Sequence, residues 1–196
     1  GFHSLALKRD GTVWSWGDNL FAELGDGTHE NGHSLKKVYR MNNIIAIDAA
    51  GQHSIALAND STVWTWGDQL QIYNATKKFT YFPENVEDFK AIAISAEKRY
   101  FIALSSNGWV WTWGFDRGNK LATIGALDNI LAISAGSGHS VALKKDGSVW
   151  AWGNNGYGQL GDGTKKVKYS ATQTATSSKE KPPKKSAQKE KPAKPW

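Results

Sequence analysis

The chain of 196 residues contains no cysteine, one methionine and five prolines. The lack of cysteine excludes disulfide bonds and catalysis by a thiol. A membrane-spanning helix needs about 20 consecutive apolar residues, and no segment approaches that length. No segment carries a sustained apolar stripe at the 3.6-residue period of a helix either, so we expect almost no helix. What is present, ten tryptophans and 40% apolar residues, fits a packed β protein.

The residue patterns of the common enzyme classes are also missing. No serine lies in a known nucleophile motif with a histidine and a carboxylate, and no dinucleotide or kinase signature occurs. Paired carboxylates do not recur outside the predicted turns. We therefore expect no catalytic residue, no cofactor and no metal, and a protein that is not an enzyme.

Positive charge is concentrated at the end of the chain. The formal net charge is +6, but residues 165–196 hold ten lysines and two glutamates. Residues 1–164 hold the other 14 basic and 16 acidic groups, so this part is slightly acidic. The overall charge therefore says little about the partners of the folded part.

The most informative feature is a fifteen-residue unit that occurs four times. Its copies are HSLALKRDGTVWSWG (3–17), HSIALANDSTVWTWG (53–67), YFIALSSNGWVWTWG (100–114) and HSVALKKDGSVWAWG (139–153). Self-similarity at a spacing of this kind is typical of solenoids, propellers and arrays. A chain built of copies usually works through a repeated surface rather than through one buried reaction centre.

Each unit is predicted to be a β-hairpin. The alternating run HSxAL reaches a turn dipeptide before VWxWG, and this arrangement is the strongest local hairpin signal. The dipeptides are Asp10-Gly11, Asp60-Ser61, Asn107-Gly108 and Asp146-Gly147. The paired tryptophans lie two residues apart, so both point to one face of a strand: Trp14 and Trp16, Trp64 and Trp66, Trp111 and Trp113, Trp150 and Trp152.

These indoles are interpreted as core residues rather than as platforms for stacking sugars or bases. Burial of an aromatic ring of this size removes about 150–250 Å² from water, which makes the pairs the largest apolar contribution to the core. Trp109 departs from the alternation, and we expect it to be partly exposed.

Further strand-like runs separate the units, near 35–41 and 44–49, 80–87 and 90–96, and 120–124 and 129–135. One period therefore holds about four short strands, which is a propeller blade. We predict an all-β partial propeller over residues 1–164, with one half-blade (strands near 2–7 and 12–17) and three full blades. Residues 165–196, rich in Lys, Pro, Ser and Thr, are predicted to form a disordered basic tail or linker.

The repeats resemble those of the regulator of chromosome condensation family. The fourth copy, AGSGHSVALKKDGSVWAWGNNGYGQLGDGT (135–164), follows that consensus almost throughout, and the first, GFHSLALKRDGTVWSWGDNLFAELGDGT (1–28), nearly as well. The two middle copies keep the hairpin but lose GQLGDGT, and the third has Tyr100-Phe101 in place of His-Ser. The resemblance implies a seven-bladed propeller, of which this chain would be about half.

The remaining blades have two possible sources. Because the chain begins with Gly1 inside a repeat, we expect it to be a piece of a longer protein, and the interpretation we favour places the missing repeats upstream. The alternative is that the half-ring closes by pairing with another copy. An open arc would expose strand edges and a blade face, which is an aggregation hazard.

Two repeated features invite a metal or ligand interpretation. His3, His53 and His139 recur at one place, but equivalent positions in neighbouring blades are roughly 10 Å apart, and a zinc ion needs every ligand nitrogen within ~2.1 Å. We interpret them as structural residues that bond the neighbouring turn. The LGDGT segments lack the ligand pattern of a calcium loop and the Lys-Ser/Thr of a phosphate loop, so Asp26 and Asp162 are predicted to bond their own turn backbone.

The function that we predict is a non-catalytic protein–protein interaction scaffold that presents loops from one rim of the propeller. Relatives of the fold include secreted β-lactamase-inhibitor proteins, which supports such a role by analogy. We expect an extracellular or cell-surface location, with the cytoplasm as the alternative. The candidate partner-binding residues follow each WG: Asn19, Phe21, Gln69, Tyr73, Phe115, Arg117, Asn155 and Tyr157.

Two other functions stay open. The founding member of the family is a guanine-nucleotide exchange factor for a small GTPase, and a cell-wall or glycan-binding module is a third possibility. We expect the basic tail to be a linker to a further domain or to an anionic cell wall, with a nucleic-acid-binding arm or a localisation signal as alternatives. Its aromatics are Tyr169 and Trp196, so base stacking is poorly supported.

Overall fold

A computed structural model describes residues 2–68, 80–98, 100–114, 121–125 and 127–175, and every helix or strand assigned within these ranges is a β-strand. The strands are β1 (His3–Leu7), β2 (Val13–Gly17), β3 (Gly32–Lys37), β4 (Ile44–Ala50), β5 (His53–Ala58), β6 (Thr62–Gly67), β7 (Thr80–Lys90), β8 (Ala93–Glu97), β9 (Tyr100–Leu104), β10 (Val110–Gly114), β11 (Ala122–Thr123), β12 (Ile130–Gly136), β13 (His139–Lys144), β14 (Val149–Gly153) and β15 (Lys168–Gln173). None of the described segments is an apolar helix of membrane-spanning length.

The strands form four antiparallel sheets, which we call blades 1 to 4. Blade 1 is β1-β2-β3, blade 2 is β4-β5-β6-β7, blade 3 is β8-β9-β10-β11 and blade 4 is β12-β13-β14-β15. In every blade the repeated unit is a hairpin in one register, so that His3 pairs with Gly17 and His139 with Gly153. The prediction of an all-β protein built of four-stranded sheets is therefore confirmed.

The first sheet is larger than the predicted half-blade. We expected two strands near 2–7 and 12–17, but β3 adds a third, with Trp14 paired to Lys37. The strand after each loop folds back along the VWxWG strand that precedes it, and it therefore closes the earlier blade. Sequence spacing alone does not distinguish this pairing from one with the strands that follow.

The predicted boundary of the tail at residue 165 is wrong. Residues Lys168–Gln173 form the outer strand of blade 4, with Trp150 opposite Gln173 and Gly153 opposite Lys168. An outer strand needs only one apolar contact face, which Ala171 supplies here, and its other stabilisation comes from backbone hydrogen bonds. Such a strand carries little hydrophobic signal. Residues 176–196 lie outside the described ranges.

The core lies between the blades, in three interfaces that we call the first, second and third seams. The inner strands β4, β8 and β12 contact one another in succession, and β1 contacts β4, as blades fanned about one axis require. In the first seam Val13 and Met41 of blade 1 pack with Ala56 and Trp66 of blade 2. The other two seams have the same plan, with Trp113 in the second and Trp152 in the third.

The tryptophan pairs of blades 2, 3 and 4 occupy these seams as predicted. Trp64 and Trp66 lie in the same apolar cluster, and the pairs of blades 3 and 4 behave likewise. The outer indole of three pairs is held by a short polar side chain in its own hairpin, because Trp14 Nε1 donates to Thr12 Oγ1, and Trp64 and Trp150 make the equivalent bond. The pairs of blades 2, 3 and 4 thus pack their hairpins against the preceding blade.

Candidate interaction surface

Two loops of the same design project from one end of the blades. They connect β2 to β3 (residues 18–31) and β14 to β15 (residues 154–167). Each leaves its strand at a glycine with φ near +105°, Gly17 at 107° and Gly153 at 105°. A Cβ on either would meet a backbone carbonyl oxygen at 2.3–2.4 Å, so only glycine allows this exit.

Asn19 organises the first loop from inside. Its Oδ1 accepts the backbone N–H of Leu24 at 2.9 Å, and its Nδ2 lies 3.2 Å from Thr28 O and 3.1 Å from Glu30 O. The side chain is fully buried. The expectation that Asn19 contacts a partner directly is therefore wrong, because the buried amide makes its hydrogen bonds within its own loop.

Asn155 has the same role in the second loop. Its Oδ1 accepts the Leu160 N–H at 3.0 Å, and its Nδ2 donates toward Asp162 Oδ1 and Thr164 O. It too is fully buried, so its assignment as a contact residue is also wrong. The recurrence of asparagine two residues after WG in both loops was a signal for this role, but an amide of this kind is normally exposed.

An aspartate closes each loop at its far side. Asp26 accepts the backbone N–H and the hydroxyl of Thr28, and Asp162 does the same with Thr164, as predicted. Partial burial raises the pKa of Asp26, but the hydrogen bonds from Lys36 and Thr28 outweigh it, and the pKa falls below its usual range. The Thr164 hydrogen bonds lower the pKa of Asp162 to about 2. Both carboxylates are ionised at neutral pH.

The tips of the loops present apolar side chains on this frame. Tyr157 is 94% exposed, Leu20 is 63% exposed and Phe21 is half-buried. The backbone of the tip is fixed, because Phe21 N donates to Glu23 Oε2 and Tyr157 N donates to Gln159 Oε1. Leu20 was not among the predicted contact residues. We call the exposed tips, Leu20 and Phe21 with Tyr157, the rim anchors.

The four remaining predicted contact residues, Gln69, Tyr73, Phe115 and Arg117, lie outside the described ranges. The rim anchors therefore come from blades 1 and 4.

The repeated histidines are used inside the seams. His3 Nε2 lies 2.9 Å from Ser54 Oγ of the next blade, and His53 Nε2 lies 2.9 Å from Glu97 O. Burial lowers the pKa of each to about 4, so both are neutral at pH 7. In blade 3, Tyr100 replaces the histidine and its hydroxyl reaches His139 O and Ser140 Oγ. Both imidazoles therefore hydrogen-bond groups of the next blade, His3 in a strand and His53 at the end of a strand.

Two exposed apolar side chains lie away from the rim. Trp109 is 51% exposed, as predicted, and it lies at the opposite end of the strands. It occupies the place that Thr12 and Thr62 have in other blades, so Trp111 Nε1 bonds Ser105 Oγ instead. At that end Ile92 is also exposed.

A second exposed aromatic cluster, which sequence analysis missed, lies on the outer surface of blades 1 and 2. Tyr39 and Phe82 have ring centroids 4.6 Å apart, and the Arg40 guanidinium lies over Tyr39. Phe82 belongs to β7. This strand lies outside the segments that follow the consensus of the repeat.

Among the described residues, no group of three or more His, Asp or Glu side chains is placed to hold a metal ion. The rim anchors therefore form an exposed apolar surface on loops whose backbone is fixed by internal hydrogen bonds.

Two family models match the chain, both described as the regulator of chromosome condensation (RCC1) repeat. One covers residues 1–22 and 130–159 and the other covers residues 146–186. No curated protein sequence matches the chain.

Solved structures match over most of the chain. Human WBSCR16 has a TM-score of 0.80 and 21% identity, with 89% of this chain and 51% of that chain covered. Prp20p from Saccharomyces cerevisiae has a TM-score of 0.77 and 24% identity, with 90% and 49% covered; its structure was described with binding to Gsp1p and histones. The yeast RCC1 (Prp20) bound to Kap60 has a TM-score of 0.75 and 23% identity, with 90% and 48% covered. The chain spans about half the length of these solved relatives.

Proposed function

Because the chain carries RCC1 repeats and folds as part of a propeller of that type, we propose that it is a non-catalytic protein-interaction scaffold that binds its partner through the rim anchors. The RCC1-like propeller fold itself suggests a scaffold of this kind. The finer assignment, to the loops of blades 1 and 4, is supported by one observation. In each loop the buried asparagine makes its hydrogen bonds within the loop, while the apolar side chain at the tip is exposed to water.

Rigidity matters because an ordered loop loses little entropy on binding. At each tip a backbone N–H donates a hydrogen bond to the side chain of Glu23 or Gln159. The base of each loop is held by the side chain of Asn19 or Asn155. A large exposed aromatic such as Tyr157 is the type of side chain that anchors protein interfaces. The surface therefore suits a preformed apolar pocket on a folded partner.

The test is capture of a partner from an extract of the source cells by the full chain and by the double variant Leu20→Ala/Tyr157→Ala. Quantitative mass spectrometry identifies proteins whose recovery depends on these two side chains, and calorimetry with the purified protein then measures direct binding. Loss of an anchor costs upward of 1 kcal/mol, so the double variant is expected to bind at least about tenfold more weakly.

Trp109→Ala is the matched control, since Trp109 is also an exposed aromatic but lies at the opposite end of the strands. A protein that the wild type and the control bind equally, and that the double variant loses, supports the proposal. If every bound protein is retained by the double variant, the rim anchors are not the binding site.

Nucleotide exchange is the second candidate, because the solved relative Prp20p was described with binding to Gsp1p. Release of labelled guanine nucleotide from small GTPases of the source organism, measured with and without the chain, separates the two. We expect the release rate to be unchanged. Acceleration by the chain would favour exchange activity over a passive scaffold.

A further inference from the structure

A lysine covers the outer indole of the hairpin in two of the four blades. Lys8 Nζ lies 5.5 Å from the centroid of the Trp14 ring, and Lys144 Nζ lies 5.3 Å from that of Trp150. Both lysines occupy the position directly after HSxAL. An ammonium over an indole is attracted by the ring electrons, and the aliphatic stem of the lysine shields the ring from water. The repeat therefore has a fixed place for a group that packs on the outer indole.

The outer indoles of blades 3 and 2 have other neighbours at this place. In blade 3 the Trp109 ring lies beside Trp111, with ring centroids 6.5 Å apart. In blade 2 the position of the lysine is held by Ala58, whose methyl group is too short to reach across the half-buried Trp64 ring. A cavity of about 370 Å³ is found there, lined by Ala58 and Trp64 together with residues 40–43, 59, 60 and 62. This volume is within the range of small-ligand sites.

Three side-chain amides lie at the mouth of this cavity. Asn42, Asn43 and Asn59 are exposed, and within the part of the chain that the structure describes none of their side chains makes a hydrogen bond. Their backbones are joined, because Asn59 N donates to Asn43 O at 2.8 Å. An amide side chain offers two donors and one acceptor oxygen. The cavity thus combines an indole with a set of unpaired donors and acceptors.

One anion and two cations lie around the cavity. Asp60 Oδ1 accepts the backbone N–H and the hydroxyl of Thr62 at 3.0 and 2.6 Å, which leaves Oδ2 for a ligand. These hydrogen bonds hold the pKa of Asp60 below its usual range, so its carboxylate is ionised at neutral pH. The Arg40 guanidinium lies 5.0 Å from the centroid of the Tyr39 ring, and Lys90 Nζ donates to Asp60 O at 3.1 Å.

These charges decide which chemical class of ligand the cavity suits. A partner's ammonium in place of the missing lysine would be repelled by Arg40 and Lys90. A nucleic-acid strand would bring phosphates beside Asp60, on a part of the chain that holds 16 acidic and 14 basic groups. A neutral sugar meets neither penalty. One face of a pyranose ring carries C–H groups that pack on an indole, and its edge carries hydroxyl groups that pair with amides and a carboxylate.

We propose that this cavity between blades 1 and 2 binds one ring of a neutral oligosaccharide, with Trp64 packed on the C–H face of the sugar. Asn42, Asn43 and Asn59 would hydrogen-bond the hydroxyl groups at the edge of the ring. Asp60 Oδ2 would accept a hydrogen bond from one of these hydroxyls. The sugar would take the place that a lysine has in blades 1 and 4. The cavity lies at the turn end of the hairpin, opposite the rim anchors, so it is separate from the proposed protein-binding surface.

Binding of the full chain to neutral oligosaccharides tests the proposal. An array of glucose, mannose, galactose and N-acetylglucosamine oligosaccharides selects the one that binds best, and calorimetry measures its dissociation constant. Ala58→Lys restores the lysine of blades 1 and 4 and is expected to weaken binding at least about tenfold, because its side chain covers the indole. Asn59→Ala removes one exposed amide and is expected to weaken binding about fivefold, the effect of one hydrogen bond. A circular dichroism spectrum like that of the wild type shows that each variant is folded.

Trp109→Ala is the matched control, because Trp109 is an exposed indole at the same end of the strands but on blade 3. Binding that Trp109→Ala retains and that a folded Ala58→Lys or Asn59→Ala weakens supports the site. A wild type that binds no oligosaccharide of the array would overturn it, as would unchanged affinity in both folded variants or loss of binding in Trp109→Ala. A twelve-nucleotide thymidine strand is titrated in parallel, and tighter binding of this strand that Ala58→Lys abolishes would assign the cavity to nucleic acid instead.

Discussion

At the scale of single residues, Glu23 and Gln159 make the same bond with different charge. Each accepts the N–H of the residue two before it, Phe21 or Tyr157, at 2.9 and 3.0 Å. Glu23 is buried, and desolvation raises the pKa of its carboxyl. The ionised carboxylate therefore costs folding free energy that a neutral amide would not.

Glu23→Gln is accordingly expected to raise the free energy of unfolding at pH 7. Because the folded-state pKa is raised, the wild type loses stability as pH rises from the unfolded pKa through the folded one, and the variant lacks this loss. Urea unfolding at pH 7 and pH 4 measures both effects. Gln159→Glu is the reverse control and is expected to lower stability at pH 7; a less stable Glu23→Gln protein would contradict this account.

The buried histidines give the opposite dependence on pH. Burial lowers the pKa of His53 from 6.5 to about 4, so below pH 6.5 the unfolded chain binds a proton that the folded chain does not. Stability is expected to fall as pH drops from 6.5 to 4 by about 3 kcal/mol from this residue, and then to level off. His3 adds a similar effect.

His53→Gln keeps a donor for Glu97 O and removes the titration. Its unfolding free energy should therefore change less between pH 7 and pH 4 than that of the wild type, although its value at pH 7 is lower. Exposed His33→Gln is the control and should leave the wild-type profile unchanged. Parallel profiles for wild type and His53→Gln would contradict this account. They would show that His53 takes up its proton over the same pH range in the folded and the unfolded chain.

At the scale of elements, the rim loops depend on one buried amide each. Asn155→Ala removes the acceptor of the buried Leu160 N–H and the donor to Asp162 and Thr164. An unsatisfied buried group costs about 1–3 kcal/mol, so we expect a loss of stability of about 2 kcal/mol by denaturant unfolding. Asn154→Ala, the neighbouring exposed asparagine, is expected to cost less than about 0.5 kcal/mol. Equal losses of stability in the two variants would contradict the conclusion that the Asn155 side chain holds this loop together.

The sequence predicts some elements better than others, for physical reasons. The hairpins were predictable, because the turn dipeptides and the alternation of HSxAL and VWxWG act locally. The outer strands β3 and β15 were not placed correctly, since their pairing with β2 and β14 follows a loop and their exposed faces are polar. The segment KYSATQ has the composition of a linker, and only its backbone hydrogen bonds to β14 make it a strand.

The candidate site was predictable in position but not in detail. The loops after WG and the residues Phe21 and Tyr157 were identified from the repeat. Asn19 and Asn155 were misassigned, because the burial of an amide depends on how the loop closes around it. Leu20 was missed since the pattern of the repeat does not show which residue of a rigid tip faces water.

At the scale of the whole molecule, the fifteen strands of the described residues form an arc of blades, and each of the three seams between them is built around a tryptophan. Stacked blades give the two described rim loops a fixed position relative to each other, which suits the proposed scaffold role. The opposite end of the strands has exposed groups of its own, such as Trp109 and Ile92. We propose that protein partners bind at the rim and not at that end.

Site-specific photo-crosslinking in the cells that produce the protein tests this assignment most directly. A benzophenone amino acid replaces Leu20, Tyr157 or Trp109 one at a time in the full chain, and crosslinked proteins are identified by mass spectrometry. We expect positions 20 and 157 to capture one and the same protein and position 109 not to capture it. Capture of that protein from position 109 alone, or of no protein from either rim position, would contradict it.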